Sequence, residues 1–193
     1  MSTVVAIKDK DKVWMGSDSF ATTESGERRP IVANKIVKNG KYLLGVIGSI
    51  RGSQLLSPHY FKPPTNVLDF PLKVIDIFKD NGCLTITDTT VYEQSCNVLI
   101  GFKGNLYELM IDFQLNEIPQ YSAIGSGSLF AFGSLHSTQG TSLTPYERIM
   151  KALEAAACFD TGTGAPFLVH SIWFWNKWKI MLGVCEWWKV GTF

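Results

Sequence analysis

Several residues near the beginning of the chain have the types and spacing that an N-terminal nucleophile requires. Ser2 supplies a hydroxyl, and removal of Met1 would also give it a free α-amine. With a pKa of roughly 7.7–8.0, an α-amine can take a proton from a hydroxyl near neutral pH. Asp18, Lys35 and the backbone N–H of Gly48 are candidates for the charged pair and the oxyanion donor. This spacing alone is weak evidence, because any chain contains a Lys, an Asp and a Gly.

The composition predicts a globular protein with no strong charge. The 193 residues are 46% apolar and 18% charged, and the formal net charge is +1. We expect one domain, residues 1–193, with a sizeable core. The charge gives no reason to expect binding to nucleic acid or to an anionic membrane surface. No apolar run is long enough to predict a transmembrane helix.

The cysteines and histidines do not suggest a cofactor or a metal. They are Cys83, Cys96, Cys158, Cys185, His59, His136 and His170. The cysteines form no Cys-x-x-Cys pair, which favours free thiols in a reducing compartment. With no secretory leader in view, we expect a cytoplasmic protein. A histidine metal site and a Ser-His-Asp triad are less favoured alternatives.

Hairpin patterns recur along the chain and predict antiparallel sheets. Strand signals at Thr3–Ile7 and Val13–Met15 surround a polar turn, and Asn39-Gly40 predicts a two-residue turn. Two further hairpins are expected, one around Lys103-Gly104-Asn105 and one whose second strand covers 178–182. Since helices are expected between these hairpins, the order favours layers around a sandwich.

Two helices have clear sequence signals. The segment 66–79 has apolar residues at helical spacing, which predicts a buried stripe. The residues of this stripe are Leu68, Leu72, Ile75 and Phe78. A second helix should begin after Thr144, because Pro145 follows it and Glu147 completes a capping box.

The order and spacing of six motifs resemble the proteasome β-subunit and bacterial HslV group of N-terminal nucleophile (Ntn) hydrolases. They are Ser2-Thr3-Val4-Val5, the segments 16–22, 34–37, 45–49 and 124–133, and Asp160-Thr161-Gly162-Thr163-Gly164. The resemblance covers most of the chain. It implies an α+β fold, a four-layer αββα sandwich of two antiparallel sheets flanked by helices.

The resemblance also implies a catalytic role for each matching residue. Ser2 would attack the scissile carbonyl, and Lys35, paired with Asp18, would tune both the amine and the hydroxyl. The Gly48 N–H would stabilise the oxyanion. The residues that would hold the amine and its water are Ser126, Asp160 and Thr163.

Substrate-binding positions follow from the same resemblance. Thr22 and Ser49 would flank an extended peptide that binds by adding a strand. Ala21, Val46 and Ile50 fall where the family builds its first specificity pocket, and all three are apolar. We therefore expect cleavage after apolar residues.

These expectations describe a proteasome-like endopeptidase of the threonine-peptidase type, acting on polypeptides without a cofactor. It would form a homo-oligomeric ring or a related closed assembly, compatible with an ATP-dependent unfoldase as partner. An Ntn amidase acting on a small amide and a catalytically silent scaffold subunit are the alternatives. The chain departs from the family in having Ser2 where Thr is usual, and a proline-rich segment after Ser49.

The C-terminal part of the chain is rich in aromatic residues, for which we expect a place in the core and at a subunit interface. They are Trp173, Phe174, Trp175, Trp178, Trp187 and Trp188. Stacking on bases is less favoured, since few cations lie between them.

Overall fold

The computed structural model describes residues 2–22, 28–30, 34–88, 91–94 and 96–174. Met1, most of the loop between 23 and 33, the expected strand 178–182 and the tryptophans from Trp175 onward lie outside the described residues. The α-helices are α1 (Ile50–Leu55), α2 (Phe70–Asp80), α3 (Ser128–Ser137) and α4 (Pro145–Phe159). A 3-10 turn, Val67–Asp69, precedes α2.

The strands pair into two main antiparallel sheets and two short ribbons. They are β1 (Thr3–Asp9), β2 (Lys12–Asp18), β3 (Phe20–Thr22), β4 (Arg28–Pro30), β5 (Ile36–Asn39), β6 (Tyr42–Gly48), β7 (Leu84–Asp88), β8 (Val91–Gln94), β9 (Cys96–Phe102), β10 (Asn105–Leu109), β11 (Leu115–Ile118), β12 (Tyr121–Gly125) and β13 (Phe167–Trp173). The first sheet has the order β12-β1-β2-β13, and the second has the order β11-β10-β9-β6-β5. The ribbons are β3-β4 and β7-β8.

Alternating side chains on β1 separate two layers of the core. Val4 and Ala6 face the second sheet and pack in one cluster with Leu43 and Leu99. Val5 and Ile7 face the opposite way, into a cluster under α3 and α4. Because successive side chains of a strand point to opposite faces, a slip by one residue would exchange the two layers. The packing therefore fixes the register of β1.

Helices cover the outer face of each sheet, which confirms the αββα sandwich. On the first sheet, α4 begins with the predicted capping box of Thr144 and Glu147, and it buries Ile149 and Leu153. On the second sheet, α1 and α2 pack against alternate residues of β6 and β9. No helix within the described ranges is long and apolar enough to cross a bilayer.

The predicted apolar stripe of the segment 66–79 is wrong for two of its residues. Leu68 and Leu72 are 70% and 65% exposed, and α2 instead buries Phe70, Val74 and Phe78. The segment contains apolar residues on two neighbouring helical faces, and periodicity alone does not say which of them meets a sheet. The 3-10 turn also changes the angular spacing before α2 begins.

The turn between β5 and β6 is displaced by one residue from the predicted Asn39-Gly40. Asn39 pairs with Tyr42, so the connecting residues are Gly40 and Lys41. The buried Asn39 amide donates to the carbonyl oxygens of Leu56 at 3.0 Å and Phe61 at 2.7 Å. Asn39 therefore holds the segment after α1 in place. Asn is common in turns, and that preference gives no sign of this tertiary contact.

Candidate active site

Ser2 lies directly before β1, next to the end of β12. Its carbonyl accepts a 3.0 Å hydrogen bond from the Ser126 N–H, and the neighbouring Thr3 pairs with Gly125. A Cβ on Gly125 would lie 1.9 Å from the Ser2 carbonyl oxygen, and its φ is +108°. A side chain there would push the two segments apart.

The half-buried Ser2 opens onto a small cavity between β6 and α1. The described residues that line it are Ser2, Lys35, Val46, Ile47, Gly48, Ser49, Ile50 and Ser53. The structure thus brings the predicted nucleophile, lysine and oxyanion donor together with three predicted substrate-binding residues. The other two predicted substrate-binding residues, Ala21 and Thr22, lie on β3.

A buried ion pair lies behind Ser2. Lys35 Nζ is 2.6 Å from Asp18 Oδ1 and also donates to the Phe20 carbonyl oxygen at 2.6 Å. Asp18 further accepts from the N–H groups of Thr3 and Phe20, at 2.9 Å and 3.1 Å. Burial lowers the pKa of Lys35, and the attraction of Asp18 offsets this only in part. The site therefore holds a cation in surroundings that disfavour a second positive charge.

A chain of hydroxyl groups leads from the Ser2 nitrogen to Asp160. The Ser2 N–H donates to Ser126 Oγ at 3.3 Å, and Ser126 Oγ donates to Asp160 Oδ2 at 2.8 Å. Thr163 Oγ1 donates to the same oxygen at 2.5 Å. Burial raises the pKa of Asp160, but hydrogen bonds from Thr163, Ser126 and Gly162 outweigh this and leave that pKa below its ordinary value. Asp160 is thus an ionised acceptor at neutral pH.

Two residues of the site were missed by sequence reasoning. Thr3 is fully buried, and its hydroxyl lies 2.6 Å from Thr163 Oγ1. Ser53 is buried on α1, where its hydroxyl donates to the Ile50 carbonyl at 2.8 Å. A helical projection of α1 would have placed Ser53 near Ile50, one turn earlier. No local signal could have identified the partner of Thr3, which is 160 residues away.

A larger cavity lies at the other end of β6, and its described lining has no comparable group of reactive side chains. Its volume is about 550 Å³, and the residues around it include Tyr42, Phe61, Lys62, Phe102 and Lys103. No carboxylate, thiol or imidazole belongs to its described lining. Within the described ranges, no group of three His, Cys, Asp or Glu side chains is arranged to hold a metal ion. The cavity beside Ser2 is therefore the better candidate active site.

Comparison with known proteins gives one sequence match and a consistent structural class. No protein-family model matches the chain. A stretch of 60 residues is 40% identical to a proteasome subunit beta of Streptosporangium roseum. That stretch covers 30% of this chain and only 21% of the relative.

Several solved structures have a similar fold over most of the length of the chain. Two structures of the BPH protein of Thiobacillus denitrificans, one of them in complex with epoxomicin, each have a TM-score of 0.73 and cover 90% of this chain. Their sequences are 22% and 21% identical to this chain, and the match covers 100% and 99% of their length. A eukaryotic HslV from Trypanosoma brucei has a TM-score of 0.68 at 15% identity, covering 89% of this chain and 99% of its own. The chain thus has the Ntn-hydrolase fold, and its resemblance to the proteasome β-subunit and HslV group is confirmed.

The Asp18→Asn variant tests the buried ion pair. It should lower the free energy of unfolding by about 3–5 kcal/mol, because Lys35 would remain buried without a counter-charge. The double variant Asp18→Asn, Lys35→Met should regain most of that loss, since it removes both charges. Urea unfolding measures both values. A double variant no more stable than Asp18→Asn would contradict this view of the pair.

Proposed function

We propose that this chain is a proteasome-like peptidase subunit that hydrolyses peptide bonds through Ser2 after removal of Met1. The observation that best supports it is the hydrogen-bonded surroundings of Ser2. The Lys35–Asp18 pair lies on one side of Ser2, the Ser126–Asp160 chain holds its nitrogen, and Gly48 lines the same cavity. These are the groups that attack by a hydroxyl, with an adjacent amine as base, requires.

The reaction proceeds in two halves. Ser2 Oγ bonds to the scissile carbonyl carbon while its proton passes to the Ser2 α-amine, and the Gly48 N–H stabilises the oxyanion. The C–N bond then breaks, the amine returns the proton to the departing nitrogen, and an ester on Ser2 remains. A water molecule attacks this ester, gives a proton to the amine, and the acid product leaves as Ser2 Oγ regains its proton.

Lys35 has an electrostatic role in both halves. Its positive charge disfavours protonation of the nearby amine, which keeps that amine available as a base. The same charge stabilises the negative oxygen that develops on Ser2 during attack. Its 2.6 Å contact with Asp18 holds the side chain at the inner wall of the cavity.

Thr3 is the other hydroxyl residue at this end of the chain, and its surroundings favour Ser2 as nucleophile. Thr3 is 0% exposed, and its hydroxyl is already bonded to Thr163. Ser2 is half-buried and lines the cavity. A substrate carbonyl can reach Ser2 from this cavity, whereas Thr3 lies in the interior.

Intact mass combined with a covalent probe tests the nucleophile. The wild-type protein should lack Met1 and gain the mass of one β-lactone molecule, located on Ser2 by peptide mapping. Ser2→Ala should abolish this labelling, whereas Ser2→Thr should retain it, because a hydroxyl and an amine are both still present.

The control for this test is Ser122→Ala, which removes a buried hydroxyl bonded to Glu108 rather than to the site. It should be labelled like the wild type. Labelling that persists in Ser2→Ala would place the nucleophile elsewhere. A folded wild-type protein that is never labelled would favour the catalytically silent scaffold subunit.

The preference for apolar substrates is a further part of the proposal. Val46 and Ile50 line the cavity beside Ser2, and Ala21 lies on the nearby segment β3. A panel of fluorogenic peptides should be cleaved fastest after apolar residues. Ile50→Lys should shift the preference toward acidic residues, because it places a cation at the cavity. Faster wild-type cleavage after basic or acidic residues would overturn this preference.

Assembly into a homo-oligomeric ring or a related closed oligomer is supported by apolar side chains on the outer helices. Leu72 on α2, Leu129 on α3 and Phe159 on α4 are 65%, 79% and 67% exposed. Burying such side chains at an interface would stabilise an assembly by about 1.5–3 kcal/mol each. An ATP-dependent unfoldase would be a compatible partner in the cytoplasm.

Native mass spectrometry measures the assembly. We expect a mass that is a defined multiple of the 21.5 kDa chain, and Leu129→Glu should shift the distribution toward smaller species. Lys103→Glu, in the exposed turn between β9 and β10 and on none of these helices, should leave it unchanged. A purely monomeric mass at micromolar concentration would contradict the proposal.

A further inference from the structure

Thr3 contacts one of the charged groups that flank Ser2, Asp18, and is connected to the other, Asp160, through Thr163. Its backbone N–H donates to Asp18 Oδ1 at 2.9 Å, the oxygen that also binds Lys35. Its side-chain hydroxyl lies 2.6 Å from Thr163 Oγ1, which donates in turn to Asp160. A single buried residue therefore connects the Lys35–Asp18 pair to the chain that holds the Ser2 nitrogen.

The direction of each hydrogen bond follows from the number of protons available. A hydroxyl donates once, and the Thr163 proton is directed to the Asp160 carboxylate, which is acceptor-only when ionised. Thr163 must therefore accept from Thr3 rather than donate to it. On the other branch, Ser126 gives its proton to Asp160 and must accept from the Ser2 nitrogen. Both branches run toward Asp160.

The surroundings hold the Thr3 hydroxyl in this position. Thr3 and Thr163 are both fully buried. Gly127 lies so close that a Cβ there would be 2.5 Å from Thr3 Oγ1 and 2.9 Å from Thr163 Oγ1. The pairing of β1 with β2 on one side and β12 on the other fixes the backbone. The hydroxyl contact is thus a defined part of the packing.

We propose that Thr3 is a positioning residue, which holds the Lys35–Asp18 pair and the Thr163–Asp160–Ser126 chain in one fixed arrangement around Ser2. This inference rests on the proposed function, since it assigns to Thr3 an effect on the Ser2 amine as the base. Thr3 acts through Thr163 and Asp160 and does not touch the substrate.

The hydrogen bonds from Thr3 through Thr163, Asp160 and Ser126 affect both the orientation and the proton affinity of the Ser2 amine. A neutral amine has one lone pair, and acceptance of one N–H by Ser126 turns that lone pair toward a defined direction. Donation by Thr3 polarises Thr163 and strengthens its bond to Asp160. Without this donor, the negative charge of the ionised Asp160 carboxylate is less well compensated, and it raises the pKa of the Ser2 amine by favouring the protonated form.

Thr3→Val tests the inference because it removes the hydroxyl and keeps the backbone N–H and the branched shape. We expect kcat for a fluorogenic peptide to fall about tenfold, the effect of one lost hydrogen bond, with KM within about twofold of the wild type. The acid limb of the pH profile of kcat/KM should move to higher pH. Thr3→Ser, which retains the hydroxyl, should restore both kcat and the acid limb.

The matched control is Ser122→Ala, which also removes one buried hydroxyl and its hydrogen bond from a strand of the same sheet. Its melting temperature should fall like that of Thr3→Val, while kcat and the pH profile stay unchanged. Should Thr3→Val not fold, Gly127→Ala replaces it, because the added methyl displaces the Thr3–Thr163 pair; the same shift in the acid limb is expected.

Three results would overturn the inference. One is a pH profile for Thr3→Val, or for its replacement Gly127→Ala, that matches the wild type. Another is a failure of Thr3→Ser to recover activity. The third is an equal loss of kcat in Ser122→Ala. Such a result would mean that the lower kcat of Thr3→Val reflects reduced stability and not a position held by Thr3. An inactive wild-type protein would instead refute the proposed function itself, so the two failures are distinguishable.

Discussion

The candidate site depends on the pairing of β1 with β2 and with β12. Val4 pairs with Ser17 on one side and with Ile124 on the other, so β1 has hydrogen-bonding partners on both edges close to Ser2. Ends of chains fray unless they are held in a sheet. This double pairing places Ser2 between Ser126 at the end of β12 and Lys35 at the start of β5. The site can therefore be ordered although Ser2 belongs to no strand.

Electrostatics at the site result from burial of opposite charges close together. Asp18 is held by two backbone N–H groups and by Lys35, so its negative charge is well compensated inside the protein. Lys35 loses water on burial, and its pKa is accordingly lowered despite the carboxylate. A buried pair of this kind contributes little to net stability, but loss of one partner is costly. The pair supplies a fixed cation to the cavity that Ser2 also lines.

Much of the fold could be predicted because its signals are local. The capping box of Thr144 and Glu147 and the hairpin around Gly104 depend on residues a few positions apart. The site residues could be proposed because their motifs occur in a family order, and three of them, Ser2, Lys35 and Gly48, line one cavity. Which face of α2 is exposed could not be predicted. The segment has two neighbouring apolar stripes, and only the tertiary packing decides which of them is buried.

The sequence by itself determined the alternation of strands and helices, the two-sided apolar pattern of β1 and the residue types around Ser2. Only the tertiary structure showed that two adjacent hydroxyl residues differ in their exposure. Ser2 and Thr3 are neighbours with similar chemistry, yet Thr3 belongs to β1 and is fully buried, whereas Ser2 precedes the strand. Thr3 consequently meets Thr163 in the interior, whereas Ser2 faces the cavity. That difference arises from contacts between residues far apart in the chain, which no local pattern contains.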